Sequence, residues 1–160
     1  MVLTWRLLKN RLPTCDNLKR RMVLTDEGEC GCNGCLQQLE TAHHAFLQCP
    51  KTTKVWDGIL EWLGINFVPP QGVADHFAQF SHLCVNKRSE NFLMALWSCT
   101  CWLIWKWRNE SRWEGKTWEI PKAIMEIKAR MWSWNKIFKI IEVDVSLACW
   151  MNCKLSCWLL

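Results

Sequence analysis

Cys32-Asn33-Gly34-Cys35-Leu36-Gln37-Gln38-Leu39-Glu40-Thr41-Ala42-His43-His44-Ala45-Phe46-Leu47-Gln48-Cys49-Pro50 gathers three cysteines and two histidines into one short stretch. Two residues lie between Cys32 and Cys35, eight between Cys35 and His44, and four between His44 and Cys49. Zinc takes four nitrogen or sulfur ligands in a tetrahedron, and a closed set of four marks a structural site rather than a catalytic one. Thiolates at this spacing, with an imidazole between them, point to Zn2+ held by Cys32, Cys35, His44 and Cys49. Gly34 is expected to relieve the turn by adopting positive φ. Thr41 is placed to cap a short helix, Thr41 to Gln48, that carries His44 and delivers Cys49. Cys30 is one residue from Cys32, an awkward gap for two ligands of one tetrahedron, and reads as a bystander. His43 competes with His44, but the spacing to Cys49 favours His44 and leaves His43 facing solvent.

Outward from this stretch the chain reads as mainly α. Met1 to Leu24 gives two short helices broken at Pro13, the second capped by Thr14. Thr25 to Gly31 is a turn. Val55, Trp56, Ile59, Leu60, Trp62 and Leu63 recur at helical spacing in a helix from about Thr52 to Leu63, stopped by Gly64. The segment 65–74, with Pro69-Pro70 and Gly72, reads as a linker. It would divide a zinc-knuckle subdomain, 1–64, from a tryptophan-rich helical region, 75–140. That region holds a short helix from Asp75 to Cys84, a long one from Ser89 to Glu110 capped by Ser89, and a last one opening at Pro121. Ile124, Ile127, Met131, Trp134 and Phe138 are expected on the buried face of the last helix. Residues 141–160 are expected to be a poorly ordered tail, and Cys149, Cys153 and Cys157 in it lack a fourth ligand.

Composition narrows the function. Thirteen tryptophans and a half-hydrophobic composition exclude a disordered chain. A formal charge of +5 permits a polyanionic partner without requiring one. Arg6, Lys9, Arg11, Lys19, Arg20 and Arg21 stand against Asp16 alone up to Thr25, and they form the candidate phosphate-contacting set, with a solvated helix face as the plain alternative. The uncharged run 91–105 covers 15 residues, short of the roughly 20 a membrane span needs, and reads as core. Eleven cysteines without the basic-then-apolar order of a secretory leader fit a reducing compartment. Cys99 and Cys101 read as small core residues. His76 and His82 lack partners at ligand spacing. The aspartates Asp16, Asp26, Asp57, Asp75 and Asp144 are never adjacent, and no phosphate-cradling loop or nucleophile with a base is present. No catalytic residue and no small-molecule substrate are assigned.

Thr4-Trp5-Arg6-Leu7-Leu8-Lys9-Asn10-Arg11-Leu12-Pro13-Thr14, Asp16-Asn17-Leu18-Lys19-Arg20-Arg21 and the ligand stretch with Glu40-Thr41 and Cys49-Pro50 resemble the zinc-binding domain that follows reverse transcriptase in plant LINE-type (non-LTR) retrotransposons. Val55-Trp56, Trp62-Leu63-Gly64-Ile65, Trp102-Leu103-Ile104-Trp105-Lys106, Arg108-Asn109-Glu110, Glu126-Ile127-Lys128 and Trp132-Ser133-Trp134 extend the similarity, so that it covers about Trp5 to Trp134. Cys15 stands where the family usually carries lysine, and Ala45 where it carries leucine. The resemblance places a further stretch before Trp5, so the chain reads as truncated at its N-terminus. That would leave Trp5, Leu8 and the long helix near Leu96 and Trp102 uncovered. The implied role is a zinc-dependent module for RNA or single-stranded DNA, nuclear rather than cytoplasmic and without a membrane partner. A relic of such an element with no ligand beyond zinc is the competing reading. A thiol-redox role for Cys32-Asn-Gly-Cys35 lacks the βαβ surroundings it needs.

Overall fold

The computed structural model describes residues 2–25, 30–66, 68, 70, 72–83, 86–140, 146–152 and 154. Met1, Asp26, Pro69, Cys84, Asp144, Cys153 and Cys157, named above, lie outside them. Among the described residues seven α-helices follow one another: α1 Val2–Leu8, α2 Cys15–Arg20, α3 Pro50–Leu63, α4 Val73–His82, α5 Lys87–Glu114, α6 Ile120–Phe138 and α7 Leu147–Asn152. A π-helical turn, His44–Gln48, precedes α3. The mainly helical class holds. Among the described residues the β pairing is a single antiparallel bridge, Gly31 with Leu39.

The helices form where apolar periodicity and end chemistry agree, and several ends differ from the reading above. α3 starts at Pro50, whose fixed φ suits a first helical position, and stops at Gly64 with φ of 72°. Thr14 stands at the N-cap of α2 but caps nothing, because its hydroxyl donates to the Asp16 carboxylate at 2.5 Å. α5 begins at Lys87, capped by Asn86 rather than Ser89. Asn86 Oδ1 accepts from the Ser89 N–H at 2.9 Å, and Ser89 Oγ accepts from the Asn86 N–H at 3.2 Å, a reciprocal box. Gly115, at φ 64°, ends α5 after Trp113 rather than before it.

One apolar cluster runs from Leu7 and Leu12 through the π-turn and α3 to α5, α6 and Trp150. α4 packs on α5, α5 on α6, α6 on α3 and α7, and α1 on α5 and α4. Gly58 lets α6 close on α3: a Cβ there would meet Ile124 Cδ1 at 2.3 Å. The buried stripe of α6 is Ala123, Ile127, Met131 and Asn135, while Ile124 and Trp134 are half-buried and Phe138 is exposed. Leu96 is fully covered and Leu8 half-covered, whereas Trp5 and Trp102 are exposed. α7 falls within the stretch read as a poorly ordered tail. Its Trp150 is fully buried, edge-on to Trp62 and Phe92, and its indole N–H donates to the Lys128 carbonyl at 2.9 Å. The Trp62 indole in turn donates to the Trp150 carbonyl at 3.0 Å.

His76 is buried beside Trp56, Phe80 and Trp97, and its Nδ1 accepts from the Trp97 indole at 2.9 Å. Burial lowers its pKa from 6.5 to about 4. The unfolded chain therefore takes up this proton first as pH falls. The stability His76 contributes is complete above about pH 6.5 and is lost toward pH 4, by about 3 kcal/mol in total. Denaturant titrations at stepped pH should show a steeper acid loss for the wild type than for His76→Gln. Parallel pH profiles for the two proteins would refute this.

Candidate metal centre

The loop around the ligand stretch is a two-armed turn. Glu40 N–H donates to the Cys30 carbonyl at 3.0 Å, and Cys32 N–H donates to the Gln38 carbonyl at 2.8 Å, so 30–32 lies along 38–40. The turn at its tip carries Cys32 and Cys35. Gly34 is needed there for a different reason from the one its type suggests. Among the described residues the glycines at positive φ are Gly64 and Gly115, and in this turn the left-handed position falls on Leu36, at φ 59°. What Gly34 supplies is space: a Cβ would lie 2.7 Å from Cys49 Sγ and 3.5 Å from Cys32 Sγ.

The second pair of side chains comes from the π-turn. Thr41 Oγ1 accepts from the His44 N–H at 3.0 Å, the capping contact read from the sequence. The helix it opens then widens, and the Cys49 N–H reaches the His44 carbonyl at 2.8 Å, an i to i+5 closure. In an α-helix, residues five apart point about 140° away from each other. The wider turn reduces that offset and lets His44 and Cys49 face one site. Carbonyls at the end of this turn are taken up by α3: the Trp56 indole donates to the Phe46 carbonyl at 2.8 Å, and the Thr53 hydroxyl to the Leu47 carbonyl at 3.0 Å. Trp56 is thus core, as its spacing suggests, and also a brace for the ligand turn.

Together these elements bring Cys32, Cys35, His44 and Cys49 into one group, with their ligand atoms all within 4.8 Å of one another. Cys32, His44 and Cys49 are buried and Cys35 is half-buried. Cys32 Sγ lies 3.8 Å from Cys49 Sγ, and Cys35 Sγ lies 3.3 Å from His44 Nε2. A tetrahedron with zinc–sulfur bonds of 2.3 Å has edges of about 3.8 Å. Three sulfurs and an imidazole at such separations, in a cradle that a single extra methyl would fill, fit a structural zinc ion. The Cys49 thiol is pushed down to about 7 because the Cys32 thiol donates to it, and the Lys51 and Thr52 N–H groups at the start of α3 act in the same direction. That hydrogen bond, together with burial, pushes Cys32 up. His44 Nδ1 is buried with no hydrogen-bond partner among the described residues, so the ring is held by packing while Thr41 fixes the His44 backbone.

The family model described as zinc-binding in reverse transcriptase matches residues 1–56. The matched segment includes all four clustered side chains. No curated protein and no solved structure matches the chain.

Two partners of this centre were not assigned from the sequence. Glu40, fully buried on the loop, accepts from Arg108 Nε at 2.9 Å and from Arg108 Nη2, and also from the Cys15 N–H at 3.2 Å. The Arg108 guanidinium lies 4.9 Å over the Trp105 ring, which stacks on Phe46 of the π-turn. A signal for Arg108 was available: Trp97, Cys101, Ile104 and Arg108 form one buried helical stripe, and a charge on such a stripe needs a counter-charge. The second is Cys30, which is bonded to Cys15 as a disulfide. Cys30 is therefore outside the ligand set, as its spacing implied, but it is not idle. His43 is also outside the set, and it is half-buried rather than solvent-facing.

Arg6, Lys9, Arg11, Arg20 and Arg21 are exposed and Lys19 is half-buried. Arg20 pairs with Asp16 at 3.2 Å, and the Arg11 guanidinium lies 5.3 Å from the centre of the exposed Trp5 ring. Asn17 ties α2 to the loop that follows α1. Its buried amide donates to the Asn10 side chain at 2.9 Å and to the Leu12 carbonyl at 2.9 Å. Cys99 and Cys101 are fully buried, and burial pushes Cys99 up to about 12. No helix among the described residues is long and apolar enough to cross a membrane.

Proposed function

We propose that this chain is a zinc-stabilised module that binds RNA or single-stranded DNA through its phosphates, with no catalysis of its own. The observation that carries the reading is the convergence of Cys32, Cys35, His44 and Cys49 inside the segment matched as zinc-binding in reverse transcriptase. The exposed basic residues of 6–21, with Trp5 available beside Arg11 for stacking on a base, support the choice of partner. The resemblance of its sequence stretches to those of plant LINE-type elements is what supports a nuclear setting.

Metal analysis should find one zinc per chain, lost in Cys49→Ser and kept in Cys30→Ser. Because thiolates and neutral imidazole are the ligands, affinity should fall on acidification. Zinc unchanged in Cys49→Ser would overturn the ligand assignment.

Binding of a labelled single strand should weaken with salt, with a log–log slope of about −0.7 per phosphate contacted. Arg20→Glu/Arg21→Glu should flatten that slope and weaken binding at every sequence tested. A zinc-loaded protein that binds no single strand at low salt would instead support a module that holds zinc and contacts no nucleic acid.

A further inference from the structure

We propose that Cys15 and Cys30 form a redox site, a thiol–disulfide pair that sets how firmly the metal loop is held. The two residues are 0% and 2% exposed, their Cα atoms are 5.3 Å apart, and they are joined as a disulfide. Their positions give the bond its consequence. Cys15 is the first residue of α2, and Cys30 opens the arm that reaches Cys32 two residues later. The bond therefore fastens the arm carrying the first ligand to the helix carrying Lys19 and Arg20. It lies at the seam that Glu40 also holds, through the Cys15 N–H at 3.2 Å and through a backbone bond from the Asp16 N–H at 3.2 Å.

The other cysteines near this seam are set apart. Cys32, Cys35 and Cys49 cluster with His44, and Cys99 and Cys101 are enclosed on α5. The oxidant is a peroxide or a small-molecule disulfide. With hydrogen peroxide, two S–H groups lose two protons and two electrons to form one S–S bond, and the peroxide becomes two waters. With a small-molecule disulfide, one thiolate attacks a sulfur and releases one thiol. The second protein thiolate then closes the S–S bond and releases the other. A dithiol reductant reverses either route.

The bond closes a loop of chain between positions 15 apart, which restricts the metal-free and unfolded states. Loss of that restriction should lower metal retention by between about tenfold and a hundredfold. The bond itself does not depend on the zinc reading; its effect on retention does.

The test uses the full zinc-loaded chain, prepared under dithiothreitol and then exposed to oxidised glutathione or to hydrogen peroxide. Alkylation and peptide mapping should show one linked pair, Cys15 with Cys30, reopened by dithiothreitol. The chelator concentration that strips half the zinc should rise on oxidation by that factor, and should be indifferent to redox state in Cys15→Ala/Cys30→Ala. Absence of the linked peptide, linkage among Cys32, Cys35 and Cys49 instead, or equal retention with the bond formed would each overturn the proposal. If neither redox state holds zinc, the metal reading fails alone. The pair is then judged by the map and by the urea midpoint, which must be higher in the oxidised protein.

Discussion

Glu40→Ala should remove about 3–5 kcal/mol of folding stability, the range for stripping one partner from a buried ion pair. Glu40 is fully buried and Arg108 is 9% exposed, so the guanidinium left behind cannot recover its hydration. The loss goes beyond one ion pair, because the same carboxylate accepts the Cys15 N–H and the Arg108 plane rests on Trp105. Domains of this size have only about 5–15 kcal/mol in total, so a substantial unfolded fraction is expected at moderate denaturant. Denaturant unfolding of zinc-loaded protein measures it. The double variant Glu40→Leu/Arg108→Met should lose less than Glu40→Ala, since it leaves no charge stranded. A cost below about 1 kcal/mol for Glu40→Ala would mean that the pair is not closed in solution.

Gly34→Ala should weaken zinc binding by at least about 10–100-fold, the range seen when the support of a metal ligand is lost. The added methyl would meet Cys49 Sγ at 2.7 Å, and this sulfur cannot retreat without leaving its place beside Cys32. Gly31→Ala is the matched control: a Cβ at Gly31 meets nothing within 4 Å, so its effect should stay within about 0.5 kcal/mol. Competition against a chromogenic chelator compares the two. Equal affinities would show that the turn relaxes around the methyl, and that crowding does not explain the glycine.

The parts of this fold legible in the sequence are those governed by one repeating choice. Val55, Trp56, Ile59, Leu60, Trp62 and Leu63 announce α3 because burial at a helical period depends only on spacing, and all six are buried. The grouping of Cys32, Cys35, His44 and Cys49 was legible because four soft ligands at short spacing have few other reasons to occur together. What escaped depends on who meets whom. Thr14 and Asn86 are both good capping types, and only the neighbouring Asp16 and Ser89 side chains decide that the second caps and the first does not. Gly34 drew attention for backbone freedom, yet its constraint is a sulfur 15 positions later. Glu40 and Arg108 both lie in quoted stretches, but 68 residues separate them and nothing local links one to the other. The matched segment 1–56 ends inside α3, and the Arg108 and Trp105 partners of its Glu40 and Phe46 lie beyond it.

The widened turn at His44–Gln48 has an evolutionary corollary. A π-turn is an α-helix carrying one surplus residue, and in an α-helix the residues that share a face are three or four apart. Deleting one residue between His44 and Cys49, the exposed Gln48 being the mildest choice, would return the segment to ordinary helical winding with the imidazole and thiol still on one side. Inserting one residue has no such refuge. Length variation between these two ligands should therefore be lopsided across descendants of such a sequence, with shortenings surviving and lengthenings purged. The shortened forms would keep Thr53 and Trp56, whose hydrogen bonds serve helix-end carbonyls that stay open in either winding.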